Sequence, residues 1–251
     1  MTRLARAARA VLGAAILAAV AGAAGAAPPC RGTLYLTLYT SDMSQADAIA
    51  RILAKHEVKA TFFLANEHTV RGDYTLDPSW GDYWRARAAE GHAFGAHTWQ
   101  HGYFRSDLEG GRVRYVVGKN ASILDAQGVC EELRRVDTRF RELTGRGLDP
   151  IWRAPGGHVT PNTLAAAQAC GYEHVHQTRN GVLGDELPSD KYPTRVLLDR
   201  ALKSLGDGDV LMLHLGLRSR TDPVAPMLDP LLAELKARGF CFATLAPGPA
   251  R

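Results

Sequence analysis

A few widely separated residues carry side chains that can hold an ion or move a proton. His97 and His101 bracket the element His97-Thr98-Trp99-Gln100-His101. That four-residue spacing lets one helical turn or a strand-to-turn junction aim both imidazoles at a single metal ion. With a carboxylate nearby they would form a two-histidine, one-acid set suited to Zn²⁺, with positions left for water and substrate. Taken alone, the same spacing also describes helix-surface or core histidines. His214 sits in the apolar run Leu211-Met212-Leu213-His214-Leu215, where an imidazole either hydrogen-bonds inside the protein or is kept for its proton chemistry. Arg153, in Trp152-Arg153-Ala154-Pro155-Gly156-Gly157, is a cation of the kind that organises a carboxylate rather than reacts. Gly156 and Gly157 would let backbone N–H groups approach a substrate oxygen, although a strand-to-helix turn needs glycine anyway.

These residues share a position relative to the elements that must carry them. Residues 34–39 read as a strand, 45–56 as an amphipathic helix with Ile49, Ile52 and Leu53 on one side, and 58–64 as a second strand, which makes a βαβ unit. A helix over 80–90 and a strand over 92–96 follow, and then a loop-rich insertion at about 103–128. The alternation resumes with a helix over 129–143 and a strand near 150–153. A helix opened by Thr160-Pro161 is closed by Gly171. Strands at 172–177, 210–215 and 240–244 and helices at 194–205 and 226–238 complete one α/β domain of about seven strands. No G-x-G-x-x-G turn follows the first strand, which removes the usual mark of a dinucleotide-binding open sheet. In a parallel barrel, Tyr39, Thr40, Asp42, His97, His101, Arg153, Asp185 and His214 would all lie at the carboxyl ends of strands. Those ends form a single face, the usual seat of an active site.

Composition restricts the partners. The chain of 251 residues has a formal net charge of +4, 46% hydrophobic and 22% charged residues, within the ordinary range for a globular chain. Three of the positive charges are Arg3, Arg6 and Arg9, in a leader without acids. The remainder is close to neutral and gives no reason to expect a nucleic-acid partner. The basic start, the run Val11-Leu12 through Ala27 and its small-residue end read as a signal peptide over 1–27, cleaved near Ala27. The expected location is therefore periplasmic or secreted, with no stable membrane span after cleavage. Pro28 and Pro29 before Cys30 argue against a lipid anchor. Export places Cys30, Cys130, Cys170 and Cys241 in an oxidising compartment, where two disulfides are permitted; four buried thiols are the alternative.

The motifs, in their order, resemble the polysaccharide deacetylases of the NodB-homology group, a carbohydrate esterase family. The resemblance spans about residues 32–246. It rests on residues 34–37, on Lys59-Ala60-Thr61-Phe62-Phe63-Leu64, on His97-Thr98-x-x-His101, on Arg153-Ala154-Pro155-Gly156-Gly157 and on Leu211-Met212-Leu213-His214. It implies a distorted (β/α)7-type barrel and a divalent metal, commonly Zn²⁺. The implied reaction removes N-acetyl, or O-acetyl, groups from amino-sugar polymers such as peptidoglycan or chitin-like glycans. On this resemblance His97 and His101 match the metal-ligand histidines, His214 the general acid that protonates the leaving amine, and Arg153 the residue that orients the catalytic acid. Asp185 is the candidate partner that keeps His214 protonated, with Asp190 as the other choice; both acids could instead serve as loop caps.

The first motif departs from the family pattern. Where that pattern reads Thr-Phe-Asp-Asp-Gly, this chain reads Thr37-Leu38-Tyr39-Thr40-Ser41-Asp42. Tyr39 takes the place of the base aspartate and Thr40 that of the metal aspartate. A phenol near pKa 10 is a poor base at neutral pH, unless Arg153 and a nearby Zn²⁺ lower that value. Asp42 is then the candidate for the third metal ligand or for the base. Two readings follow: an active metal-dependent deacetylase with a rearranged first motif, or a catalytically impaired relative that binds glycans. Barrel closure would also make the first and last strands neighbours, pairing Cys30 with Cys241 and leaving Cys130 with Cys170.

Overall fold

The computed structural model describes residues 29–245, so the expected signal peptide at 1–27 lies outside the described residues, as does position 246. The described residues begin with strand β1 (Gly32–Tyr39), helix α1 (Ala46–Lys55) and strand β2 (Thr61–Leu64), followed by α2 (Gly81–Ala89) and β3 (Ala93–Ala96). Strands β4 (Tyr103–Leu108), β5 (Arg112–Val117) and β6 (Asn120–Leu124) precede α3 (Ala126–Thr144) and β7 (Ile151–Trp152). Then come α4 (Pro161–Ala169), β8 (Glu173–His174), α5 (Thr194–Ser204), β9 (Val210–His214), α6 (Ala225–Ala237) and β10 (Phe240–Phe242).

The elements form where local chemistry favours them. Helix α3 buries Val129, Leu133, Val136, Phe140 and Leu143 at helical spacing. The Asp125 carboxylate accepts the Gly128 N–H at its start, and Gly145, at φ 77°, ends it. Helix α4 begins with Pro161 and a reciprocal Thr160–Thr163 capping box.

The main sheet has seven parallel strands in the order β10-β1-β2-β3-β7-β8, with β9 also paired to β1. Past β8, a parallel bridge between Val182 and Met212 brings the chain back to β9. This is the distorted α/β barrel, irregular on the side where β8 shortens to two residues. One core lies between the strands and the helices and includes Leu34, Leu36 and Leu38. A smaller one fills the barrel interior with Tyr39, Phe63, Ile151 and Met212.

The insertion differs from expectation. Residues 103–124 form a three-stranded antiparallel sheet, β4-β5-β6, rather than loop. In β5, Val113 and Tyr115 are buried while Arg112 and Arg114 are exposed, a period-two pattern that the surrounding Gly and Arg residues mask. The disulfides are Cys30–Cys241 and Cys130–Cys170, with Cα separations of 5.6 and 6.1 Å. Among the described residues no helix is long and apolar enough to cross a membrane.

Candidate active site

The carboxyl ends of β1, β3, β7 and β9 bring the expected residues together. Tyr39 and His214 are direct neighbours in the β1–β9 register. The Tyr39 ring lies 4.6 Å from that of His97 and 5.2 Å from that of His214, centroid to centroid. His97 and His101 are 4.9 Å apart by the same measure.

The two histidines meet through a strand-to-turn junction. Thr98 and His101 both adopt left-handed backbone conformations, at φ 59° and 54°, which a β-branched residue such as threonine strongly resists. Gly102 N–H donates to Thr98 Oγ1 at 2.8 Å, and Trp99 N–H donates to Glu132 on α3 at 3.0 Å. Position 102 must be glycine, because a Cβ there would lie 2.0 Å from the Tyr115 hydroxyl.

His97 Nδ1 donates to the Arg153 carbonyl at 2.7 Å, since a carbonyl only accepts. Burial, helped by the charge of His101, holds the His97 pKa well below the usual imidazole value. The ring is therefore neutral, with its Nε2 lone pair available. Burial likewise lowers the His101 pKa, although the Glu67 charge opposes it. The two imidazoles thus have the donor chemistry for a divalent ion such as Zn²⁺. A third donor is not gathered with them: among the described residues no group of three or more His, Cys, Asp or Glu side chains is arranged to hold a metal ion.

Asp42, the acid expected to complete the set, lies in a turn. Its Oδ1 accepts the Ser44 N–H at 2.9 Å, making it a turn-forming carboxylate. Gly216 packs against it so closely that a Cβ would sit 2.2 Å from Oδ1. At the metal-aspartate position, Thr40 donates its hydroxyl to Glu67 Oε2 and accepts the Ala65 N–H, each at 2.9 Å.

Tyr39 is tied to Arg153. Its hydroxyl accepts from Arg153 Nη1 at 2.9 Å, but burial outweighs the Arg153 charge and raises its pKa. The phenol is neutral: the charge and hydrogen bond of Arg153 lower its pKa by less than burial raises it. Arg153 is fully buried and finds neutral acceptors: Nη1 also donates to Thr37 Oγ1 at 2.8 Å and Nε to the Val175 carbonyl at 2.7 Å. Nη2 has no hydrogen-bond partner. The guanidinium lies 4.4 Å from the centroid of the Phe63 ring, a cation–π contact that offsets part of the missing anion. The expected carboxylate for Arg153 to organise is replaced by a phenol.

His214 has the partner expected for it. Asp185 Oδ2 accepts both the His214 ring Nδ1–H, at 2.9 Å, and its backbone N–H, at 2.7 Å. Burial alone would lower the His214 pKa; the hydrogen bond and charge of Asp185, with Glu186 and Glu67, outweigh it and raise the value. Asp190 is exposed and is not the partner. The Gly156-Gly157 turn has positive φ at both residues, but Gly157 N–H is spent on the Ala154 carbonyl at 2.9 Å.

Two further carboxylates, which no motif marks in the sequence, stand at the site. Glu186 Oε1 stands 3.8 Å from His214 Nε2. Glu67 shares an open cleft with Asp42, His68 and His101. Glu67 follows the carboxyl end of β2, so the strand-end rule that singled out the other residues applies to it as well.

The family model for polysaccharide deacetylase matches residues 26–175, more than half of the chain. The chain belongs to the polysaccharide deacetylase family. Among curated members of this family, it is 23% identical over 209 residues to a peptidoglycan-N-acetylglucosamine deacetylase of Bacillus cereus, covering 82% of both chains. It is 24% identical over 214 residues to a chitin deacetylase of Pestalotiopsis sp., covering 85% of this chain and 62% of the relative. Among solved structures, the barrel resembles a CE4 family pseudoenzyme from Bacillus anthracis, with a TM-score of 0.65 at 17% identity over 87% of this chain and 65% of the other. A mutant of that pseudoenzyme with restored enzymatic activity gives the same TM-score, and the chain covers 67% of it. At this identity the likeness establishes the polysaccharide deacetylase barrel.

Proposed function

We propose that this chain is an exported, base-deficient polysaccharide deacetylase. It would take an acetylated amino-sugar polymer, of peptidoglycan or chitin type, across the strand-end face and hydrolyse it slowly. Export rests on the leader pattern of residues 1–27, and the substrate class on the family and its curated deacetylases. The observation that carries the reading is Tyr39, a neutral phenol bonded to Arg153 at the place where the family has its base.

The residues divide the reaction unevenly. His214, steadied by Asp185 and with its pKa raised by that partner against burial, supports the departing amine by donating a proton from Nε2 in its imidazolium form. His97 and His101 would hold a divalent ion, which when bound polarises the acetamide carbonyl and a water molecule. No carboxylate stands at Tyr39 to take the water proton. Loss of a general base lowers the rate by about 10²–10⁴-fold. The expected fully active site, with Asp42 as ligand or base, is less well supported because that carboxylate is engaged in its own turn.

Titration of the purified protein with N-acetylglucosamine oligomers and with peptidoglycan fragments, alongside an acetate assay, tests this reading. Saturable binding is expected, with acetate release about 10²–10⁴-fold below that of a site that has its general base. Absence of binding to either polymer, or rapid release by the unaltered chain, would refute it.

A further inference from the structure

We propose that Glu67 is the acidic donor of the His97–His101 pair, so that a divalent cation is held by two imidazoles and a glutamate supplied by the loop after β2. The inference rests on the family reading above and changes which strand end supplies the acid. At the family's metal-aspartate position stands Thr40, a neutral side chain, and its hydroxyl is hydrogen-bonded to Glu67 Oε2 at 2.9 Å. A carboxylate therefore lies one hydrogen bond away from where one is missing. Asp42, the other acid of the same cleft, bonds through Oδ1 to the Ser44 N–H and not to Thr40.

The loop that carries Glu67 is held firmly. Its N–H donates to Thr75 Oγ1 at 3.1 Å and its carbonyl accepts the Thr75 N–H at 2.9 Å. Thr40 Oγ1 in turn accepts the Ala65 N–H at 2.9 Å. With the backbone held, rotation of this half-buried side chain is the motion that would deliver the carboxylate. In the described arrangement the three groups are not gathered; the cation would replace the Thr40 hydroxyl as the partner of Oε2. Two neutral imidazoles and one carboxylate give the same nitrogen and oxygen donors, and the same total charge, as two imidazoles and an aspartate. That set suits Zn²⁺ and leaves positions for water or substrate.

Zn²⁺ titration against a chromophoric chelator, with the visible absorption of bound Co²⁺ as a second readout, tests the assignment. The comparison uses the unaltered protein, Glu67→Gln, His97→Ala and the double variant Glu67→Gln/Thr40→Asp, all checked for the same unfolding midpoint in the absence of metal. The unaltered protein should bind one Zn²⁺ per chain and His97→Ala should lose it. Glu67→Gln should weaken binding by more than about ten-fold, the least expected from loss of even an outer partner of a metal site. The double variant should recover it. Undiminished affinity in Glu67→Gln, with His97→Ala still deficient, would overturn the role of Glu67. Zn²⁺ binding by the double variant but not by the unaltered protein would also overturn it. Either result leaves the family reading intact, because polymer binding tests that reading separately.

Discussion

At His214 two effects oppose each other: burial disfavours the imidazolium, and the Asp185 carboxylate, bonded to Nδ1, favours it more strongly. The folded pKa is therefore raised above the unfolded value near 6.5. The pair's contribution to stability is fully present below that unfolded value and is lost as pH rises through the folded pKa. Denaturant unfolding from pH 5.5 to 9 should show this decline, and Asp185→Asn should flatten it. The same variant should lower the His214 pKa, leaving only the Glu186 and Glu67 charges against burial, and should shift the pH dependence of any residual acetate release to lower pH. Residue identities at the site were legible in the sequence because His97, His101, Arg153 and His214 stand in short, ordered motifs. The state of Tyr39 was not, since it depends on burial within the barrel interior against a guanidinium brought from β7.

The turn from His97 to Gly102 is held from outside the barrel. Glu132 Oε2 accepts from both Trp99 N–H, at 3.0 Å, and the Tyr115 hydroxyl, at 2.6 Å. Helix α3 and the insertion sheet thus brace a segment with two left-handed non-glycine residues, each of which costs about 1–3 kcal/mol. Glu132→Ala removes an acceptor shared by two donors and should lower stability by about 1–3 kcal/mol in urea denaturation. It should also weaken Zn²⁺ binding, because the spacing of the two imidazoles depends on that turn. Most helices and parallel strands were readable from apolar periodicity and from caps such as Thr160-Pro161. The β4-β5-β6 sheet was not, because its turn glycines and arginines have the composition of a loop.

Across the whole molecule, closure of the barrel makes distant residues neighbours. Strand β1 pairs with β2, β9 and β10, so the ends of the described chain meet and Cys30 reaches Cys241. Replacing both cysteines by serine should cost about 2–5 kcal/mol in denaturant unfolding, most of it through the greater freedom of the unfolded chain. That neighbourhood followed from expecting a closed barrel and not from cysteine spacing, which allows three pairings. The irregular return from β8 to β9, by contrast, left no periodic trace. It matters to the site because it carries Asp185 to His214 across 29 residues.

The central claim is that this polysaccharide deacetylase site retains its acid and lacks its base at Tyr39. The most direct measurement is acetate release from N-acetylglucosamine oligomers by the unaltered protein and by Tyr39→Asp, at equal Zn²⁺ saturation and with matched polymer binding. A carboxylate at position 39 would give the buried Arg153 an anion and the water a proton acceptor. The expected result is a rate increase in Tyr39→Asp of about 10²–10⁴-fold. An unaltered protein that releases acetate as fast as the variant, or faster, would contradict the account.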